Sequence, residues 1–340
     1  MRATVLQDRA LAKQAGRFVW LSIDTEDTRN ATFLETHPWK AVPTFEVLDP
    51  GTGNVAYSWI GAVDGKELVR RFGEAEQTFR AAGKAPAAAP TSADTAIYDL
   101  AFAGKDEECA TQALDLLPKL SPGGVKANVA ATGLDCALSA PETDAWRVGA
   151  IATFESTVRD AIRYPGLLDD DRSGLHASLV DARERQGDAA GARRAARDWL
   201  DWLDTQAREA PSVEARAALD GYRVSAALAA DAPRRALAPL EESERQLPDD
   251  YNPPARLAIV YRELGRYDDA LAATDRALAK VYGPRKLVVL ETRASIYEKK
   301  GDHAAAKKTL EDALTYSGTL PEPQRPKGLV ARIEKQLNGS

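Results

Sequence analysis

Between Tyr251 and Leu320 the apolar and polar positions alternate with a helical period, and the pattern is written twice. A shift of 36 residues lays Ala258 on Ala294, Tyr261 on Tyr297, Gly265 on Gly301, Ala270 on Ala306 and Ala277 on Ala313. Small residues stand where two helices must approach, an aromatic follows one turn later, and a glycine marks the corner. Self-similarity at such a period predicts stacked helical hairpins. Upstream the rhythm fades without stopping. Ala236, Leu240, Ser243 and Pro248 sit 34 residues before Ala270, Thr274, Ala277 and Tyr282, so 219–250 fits half a unit. A weaker unit spans 173–206, the stretch 96–114 keeps a helix–Gly–helix rhythm, and helices are expected within 124–163. One hairpin cannot bury its own apolar face, so several stack into a right-handed superhelix. About 11–14 helices follow from a repeat of roughly 34 residues, with Lys327–Leu337 as the capping helix.

The first 80 residues are patterned differently. Val5, Leu6, Ala10 and Leu11 share one face of a helix predicted over 3–15, which Gly16 stops. The run 18–24 (PheValTrpLeuSerIleAsp) reads as a buried strand, and 31–36 as a short helix. Strands are predicted at 42–49 and 54–61 around a ProGlyThrGly turn at 50–53, with a closing helix at 64–72. The Pro/Ala-rich stretch 81–95 has almost no bulky residue and reads as a linker. That divides the chain into 1–80, a linker, and a helical domain over 96–340.

Two families are resembled. With its ValProThrPhe at 42–45 and IleGlyAla at 60–62, the order of elements in 1–80 resembles the thioredoxin family. The resemblance implies a cis bond between Val42 and Pro43 and a groove for an extended peptide formed by Trp39, Val42, Pro43 and Gly61, with His37 nearby. On the residues alone, Pro43 reads as a strand-entry proline with no role beyond shape. The family's Cys-x-x-Cys, set at a helix N-terminus to activate a thiol, is missing, as is the strand before it. A sheet without that strand exposes backbone edges, so either the domain is remodelled or roughly 30–50 upstream residues are lost, against a minimum of about ten for one strand and its loop. Residues 92–320 resemble the tetratricopeptide repeat family, which implies protein or peptide partners. Some members grip a C-terminal carboxylate with Lys and Asn; the matching positions here hold residues such as Gly221, Ser225, Ala255 and Val288. The expected fold class is α+β: an incomplete thioredoxin-like α/β domain followed by an all-α tetratricopeptide-like solenoid.

Charge and chemistry narrow the function. A net charge of −6 over 340 residues, with 10 Lys+Arg against 11 Asp+Glu in residues 1–80, offers no basic patch for nucleic acid. No apolar run approaches the roughly 18 residues of a membrane span. There is no signal-peptide pattern, so the chain as given reads as cytoplasmic, or as periplasmic or secreted if a leader lies upstream. Cys109 falls on a small-residue position and reads first as buried packing, with a Cys109–Cys136 disulfide or a reactive thiol as alternatives. His37, His176 and His303 lack zinc spacing. Trp199 and Trp202 read as interhelical packing, with a partner-binding patch as the alternative. AspAspAspArg at 169–172 lacks the calcium-loop pattern and reads as a solvated loop, while Glu241–Glu242 and Asp268–Asp269 read as solvent faces. The sequence therefore offers no catalytic residue, no metal ligand and no cofactor site. It predicts a protein-interaction module; the alternative is a fragment of a thiol–disulfide oxidoreductase with its Cys-x-x-Cys upstream. A scaffold that uses the repeats alone is a third reading.

Overall fold

Two short strands are framed by helices in the computed structural model, which describes residues 9–39, 41–61, 63–82 and 93–338. The order is α1 (Arg9–Ala12), α2 (Ala31–Thr36), β1 (Thr44–Leu48), β2 (Val55–Ile60), α3 (Gly65–Ala82), α4 (Ala93–Phe102), α5 (Asp106–Leu116), α6 (Gly124–Ser139), α7 (Ala145–Ala161) and α8 (Asp169–Arg185). There follow α9 (Ala189–Glu209), α10 (Val213–Ala218), α11 (Asp220–Ala229), α12 (Leu237–Gln246), α13 (Asn252–Glu263), α14 (Tyr267–Leu278), α15 (Arg285–Lys300), α16 (His303–Thr319) and α17 (Lys327–Asn338). The described chain is thus mostly helix. Two compact units share it: Met1–Val19 with Lys40–Trp199, and Trp20–Trp39 with Leu200–Ser340.

In the first unit β1 and β2 form an antiparallel hairpin, Phe45 opposite Trp59 and Val47 opposite Tyr57, with an irregularity between Val47 and Leu48. Asp49 organises the turn, accepting from Gly51 N at 2.8 Å and Thr52 Oγ1 at 2.9 Å, while Gly53 takes φ +74°. One face of the hairpin meets α3, where Trp59, Leu68, Phe72 and Ala75 are buried and Phe45 stacks on Trp59 at 4.7 Å. Arg71 is fully buried and bonds Glu67 at 2.9 Å and Asp94, on α4, at 3.0 Å. The helices α4–α8 close around Ile97, Leu134, Phe154 and Leu175. Gly133 is where α6 meets α7, since a Cβ there would lie 2.4 Å from the Phe154 ring. Cys109 and Cys136 are both buried and disulfide-bonded, tying α5 to α6.

In the second unit the duplicated pattern is a pair of hairpins, α13–α14 and α15–α16. All six copy-matched alanines are at most 1% exposed, and Gly265 and Gly301 turn the corners at φ +71° and +85°. Only a residue without Cβ adopts that conformation freely. The corner before α12 is made instead by Asp231 at φ +56°, a residue type that tolerates the left-handed region. The weaker units at 96–114, 124–163 and 173–206 are likewise helix pairs: α4–α5, α6–α7 and α8–α9. Fourteen α-helices lie between Ala93 and Asn338 among the described residues.

Several expectations are corrected. The run 18–24 is no strand: it pairs with nothing in the sheet, which is two-stranded among the described residues, and Val19 and Leu21 are 90% and 71% exposed. An apolar run becomes a strand only where a neighbour supplies the hydrogen bonds. AspAspAspArg at 169–172 is not a solvated loop but the first turn of α8, where carboxylates complement the helix dipole. The helix expected at 64–72 continues to Ala82. The cysteines pack as predicted for buried small residues, but bonded to each other. Residues 3–8 of the helix expected at 3–15, and residues 83–92 of the linker read at 81–95, lie outside the described residues.

Candidate functional site

The open end of the hairpin holds three of the four groove residues. Gly61 N donates to Pro43 O at 3.0 Å, Gly61 takes φ +94°, and the Val42–Pro43 peptide is cis. Val42 is 59% exposed. Beside Gly61 stand Tyr98 Oη and Asn128 Nδ2, each 3.8 Å from where a Cβ would be. Burial pushes the Tyr98 hydroxyl up to about 12. It also pushes the nearby Asp171 carboxyl up to about 7; Asp170 and Asp64 add to the rise and the hydrogen bond from Asn128 opposes it. Trp39, the fourth residue, belongs to the segment that clusters with the second unit.

The histidines are dispersed. His37 stacks on Phe33 at 4.3 Å, His303 bonds Glu298 at 2.6 Å, and burial lowers His176 to about 4. Among the described residues no three His, Cys, Asp or Glu gather as a metal site, and no helix is long and apolar enough to cross a membrane. Trp199 is buried and donates from Nε1 to Ser173 Oγ at 3.1 Å, which is packing with a satisfied indole.

The repeat surface carries ion pairs between helices. Arg223 reaches Asp204 at 2.7 Å, Arg276 reaches Glu244 at 2.7 Å, and Arg332 reaches Glu291 at 2.6 Å. At the positions of the carboxylate clamp, Gly221 lies against the Arg256 guanidinium, Ser225 bonds its own helix at Gly221 O, and Val288 is 40% exposed. Burial lowers Arg256, opposed by Asp220 and Asp250. Burial likewise raises Asp220.

The most elaborate polar arrangement of the second unit was not anticipated from the sequence. Residues 24–27 (AspThrGluAsp) lie against the corner between α14 and α15 and against the turn after α16. Tyr282 Oη donates to Asp24 Oδ2 at 2.9 Å; Tyr251 Oη donates to Glu26 Oε2 at 3.3 Å, and Arg285 grips the other oxygen of Glu26. Gln324, 3% exposed, donates from Nε2 to the carbonyls of Thr25 and Asp27 at 2.9 and 2.8 Å. Tyr251 and Tyr282 meet edge to face at 6.4 Å. The bond to Asp24 raises the Tyr282 hydroxyl, burial raises that of Tyr251, and the pairing with Glu26 raises Arg285. The acidic segment folds on itself: Asp24 accepts from Glu26 N at 2.9 Å and Asp27 from Arg29 N at 2.9 Å. The one signal in the sequence is complementary charge, AspThrGluAsp against TyrGlyProArg (282–285). With some 250 residues between them, no periodicity connects the two.

Comparison with known proteins adds one assignment. The tetratricopeptide repeat family model matches residues 251–317, the two hairpins α13–α16. No curated protein matches the chain. Similar solved structures include BtubC from P. vanneervenii, at 15% identity over 72% of this chain and 94% of that one, TM-score 0.40. YrrB, described as a TPR protein with an unusual peptide-binding site, is 13% identical over 62% of this chain and 92% of its own, TM-score 0.30. MamA AMB-1 is 17% identical over 54% and 90%, TM-score 0.29. Residues 251–317 therefore carry tetratricopeptide repeats.

Proposed function

We propose that this chain is a protein-interaction module in which the helical repeats hold a protein or peptide partner. The duplicated hairpins at 251–317 carry the reading. Stacked repeats present a continuous surface that single helices lack. A photo-crosslinking residue at Ser225 or Val288, introduced into the chain in its source cells, is expected to give a discrete adduct. Absence of any adduct from either position would sink the reading.

The finer form of the proposal adds a thioredoxin-like first module, with a linker at 81–95 and a peptide groove at Val42, Pro43 and Gly61. Its support is the hairpin followed by α3 and the backbone bond from Gly61 to Pro43. The oxidoreductase alternative is tested by dithiothreitol-coupled insulin reduction, where turnover by this chain would displace the binding-only form. The buried Cys109–Cys136 bond supports an oxidising compartment, periplasmic or secreted. A thiol titration on protein taken from its source decides that point: two free thiols would return it to the cytoplasm.

A further inference from the structure

The Tyr251–Tyr282–Arg285–Gln324 cradle is built like a receptor with a ligand already in it. Each of its contacts reads a separate property of the bound segment. Gln324 reads main chain, donating to two carbonyls of 25 and 27. Gly283, at φ +56°, lets the backbone approach, because a Cβ there would lie 2.1 Å from Glu26 O. Tyr282 reads the carboxylate of Asp24, and Tyr251 with Arg285 reads that of Glu26. The segment supplies its own turn through Asp24 and Asp27, so a peptide of the same composition brings much of the bound shape with it and loses less entropy on binding.

Two observations mark the resident segment as replaceable. Gln324 Oε1 is buried and accepts no hydrogen bond, so a ligand offering a donor there would be held better than the resident one. The residues leading into the segment, 18–24, form no helix or strand, and Val19 and Leu21 stand exposed. Beyond Phe18, which packs on Phe72 at 4.8 Å, the exposed Val19 and Leu21 add no buried apolar contact to oppose local opening. Towards the C-terminal side, Leu34 of α2 is buried, so the turn can leave while α2 stays.

We propose that this cradle is a docking site for an acidic Asp-x-Glu turn of a partner protein, and that residues 24–27 occupy it as a displaceable mimic. The proposal rests on the reading of the repeats as an interaction module. It places the contact at the corner between hairpins and names the chemistry of the partner: two carboxylates on alternate residues, presented on a turn.

The test uses the full chain and a fluorescent peptide of residues 20–30, followed by anisotropy at low salt. In the wild type the resident segment competes with the peptide. Glu26→Lys weakens the resident, so the peptide is expected to bind about tenfold tighter, the factor by which an open cradle becomes more populated. Adding Arg285→Glu in the same chain should abolish binding, because the introduced carboxylate repels the peptide and pairs again with the chain's own resident segment. Tyr282→Phe, which removes one hydroxyl and disturbs folding least, should weaken the peptide about threefold. Circular dichroism checks that each variant is folded. Equal binding by wild type and Glu26→Lys, or binding indifferent to both Arg285→Glu and Tyr282→Phe, overturns the proposal. So does a concentration-dependent wild-type dimer that Arg285→Glu dissolves, since the occupant would then be a second copy. A null result here, with crosslinks still forming at Ser225 or Val288, rejects the cradle and leaves the interaction module standing.

Discussion

The two units solve helix packing by different means. In the repeats of 251–317 the helices meet on alanine: Ala258, Ala270 and Ala277, then Ala294, Ala306 and Ala313, are all at most 1% exposed. In the first unit the helices also meet on buried alanines, among them Ala110, Ala130 and Ala137, but add single devices that occur once each. These are a fully buried Arg71, a Cys109–Cys136 bond, a Gly133 fitted against Phe154, and a carboxylate at Asp171 raised to about 7. A repeated contact spreads stability over many small terms, so losing one costs little. A unique contact concentrates it, and the two units should therefore respond differently to the same kind of injury.

The largest expected loss is at Arg71. Replacing it by methionine leaves Asp94, 6% exposed, as a buried charge without its guanidinium. Breaking a buried pair this way costs about 3–5 kcal/mol, read as a lowered midpoint in urea. The double variant Arg71→Met, Asp94→Leu should recover most of the loss, because the buried Asp94 charge is gone and Glu67 keeps Arg70. No recovery would mean that the site depends on shape and on Glu67 rather than on the Asp94 charge. Next comes the disulfide, which closes a loop across 27 positions. Reduction should cost about 3–4 kcal/mol through the freed unfolded chain. Melting with and without dithiothreitol measures it, and an unchanged melt would remove this device from the comparison.

The same contrast explains what could be read from the sequence. Ala258 on Ala294 and Gly265 on Gly301 were legible because each contact is written twice, and a coincidence rarely repeats at a fixed period. Arg71 looked like any cation on a helix face, since its partner Asp94 lies beyond a Pro/Ala-rich stretch. The segment 18–24 looked like a strand because its composition suits one, while the hydrogen bonds that decide the matter are non-local. Residues 24–27 show in the sequence only a polar run at and beyond the end of that segment. Their partners Tyr282, Arg285 and Gln324 are separated from them by most of the chain, and neither period nor motif spans that distance.

Asp171 gives the comparison a pH axis. Burial raises its carboxyl to about 7 from the ordinary 3.8, so the folded chain holds a proton that the unfolded chain has lost. Stability contributed by this group is present below about pH 4 and declines as pH rises to about 7. One unit of displacement corresponds to about 1.4 kcal/mol, so at most about 4 kcal/mol should separate the ends of the window, less where solvent screens the partly exposed carboxyl. Asp171→Asn is expected to flatten the profile and to raise the melting temperature at neutral pH. An unchanged profile would show that water reaches the carboxyl. In the repeats the matching experiment is steric. Ala277→Leu forces a larger side chain into the α14 contact and should cost about 1–3 kcal/mol, less than Arg71→Met by calorimetry. An equal loss would erase the distinction between distributed and concentrated packing.

The smallest expected effect compares the two repeat copies with each other. Asp302 caps α16, its carboxylate accepting from Ala305 N at 3.1 Å, whereas the copy-matched Arg266 gives α14 no side-chain cap. Arg266 is otherwise engaged, bonding Asp269 at 2.7 Å and lying over the Tyr261 ring at 4.4 Å. Asp302→Ala should cost about 1 kcal/mol, the usual worth of an N-cap. Arg266→Asp would install the same cap but remove the cation from Tyr261, which is worth about 0.5–1 kcal/mol at an exposed site, so its net effect should be close to zero. Chemical denaturation of both variants reads the difference. If Arg266→Asp stabilises as much as Asp302→Ala destabilises, the stacking on Tyr261 contributes nothing and the two copies are interchangeable at this corner. If it destabilises, the first copy has exchanged a cap for a cation over Tyr261 that its neighbour takes for Tyr297 from Arg293 instead, and the repeats are less alike in energy than in sequence.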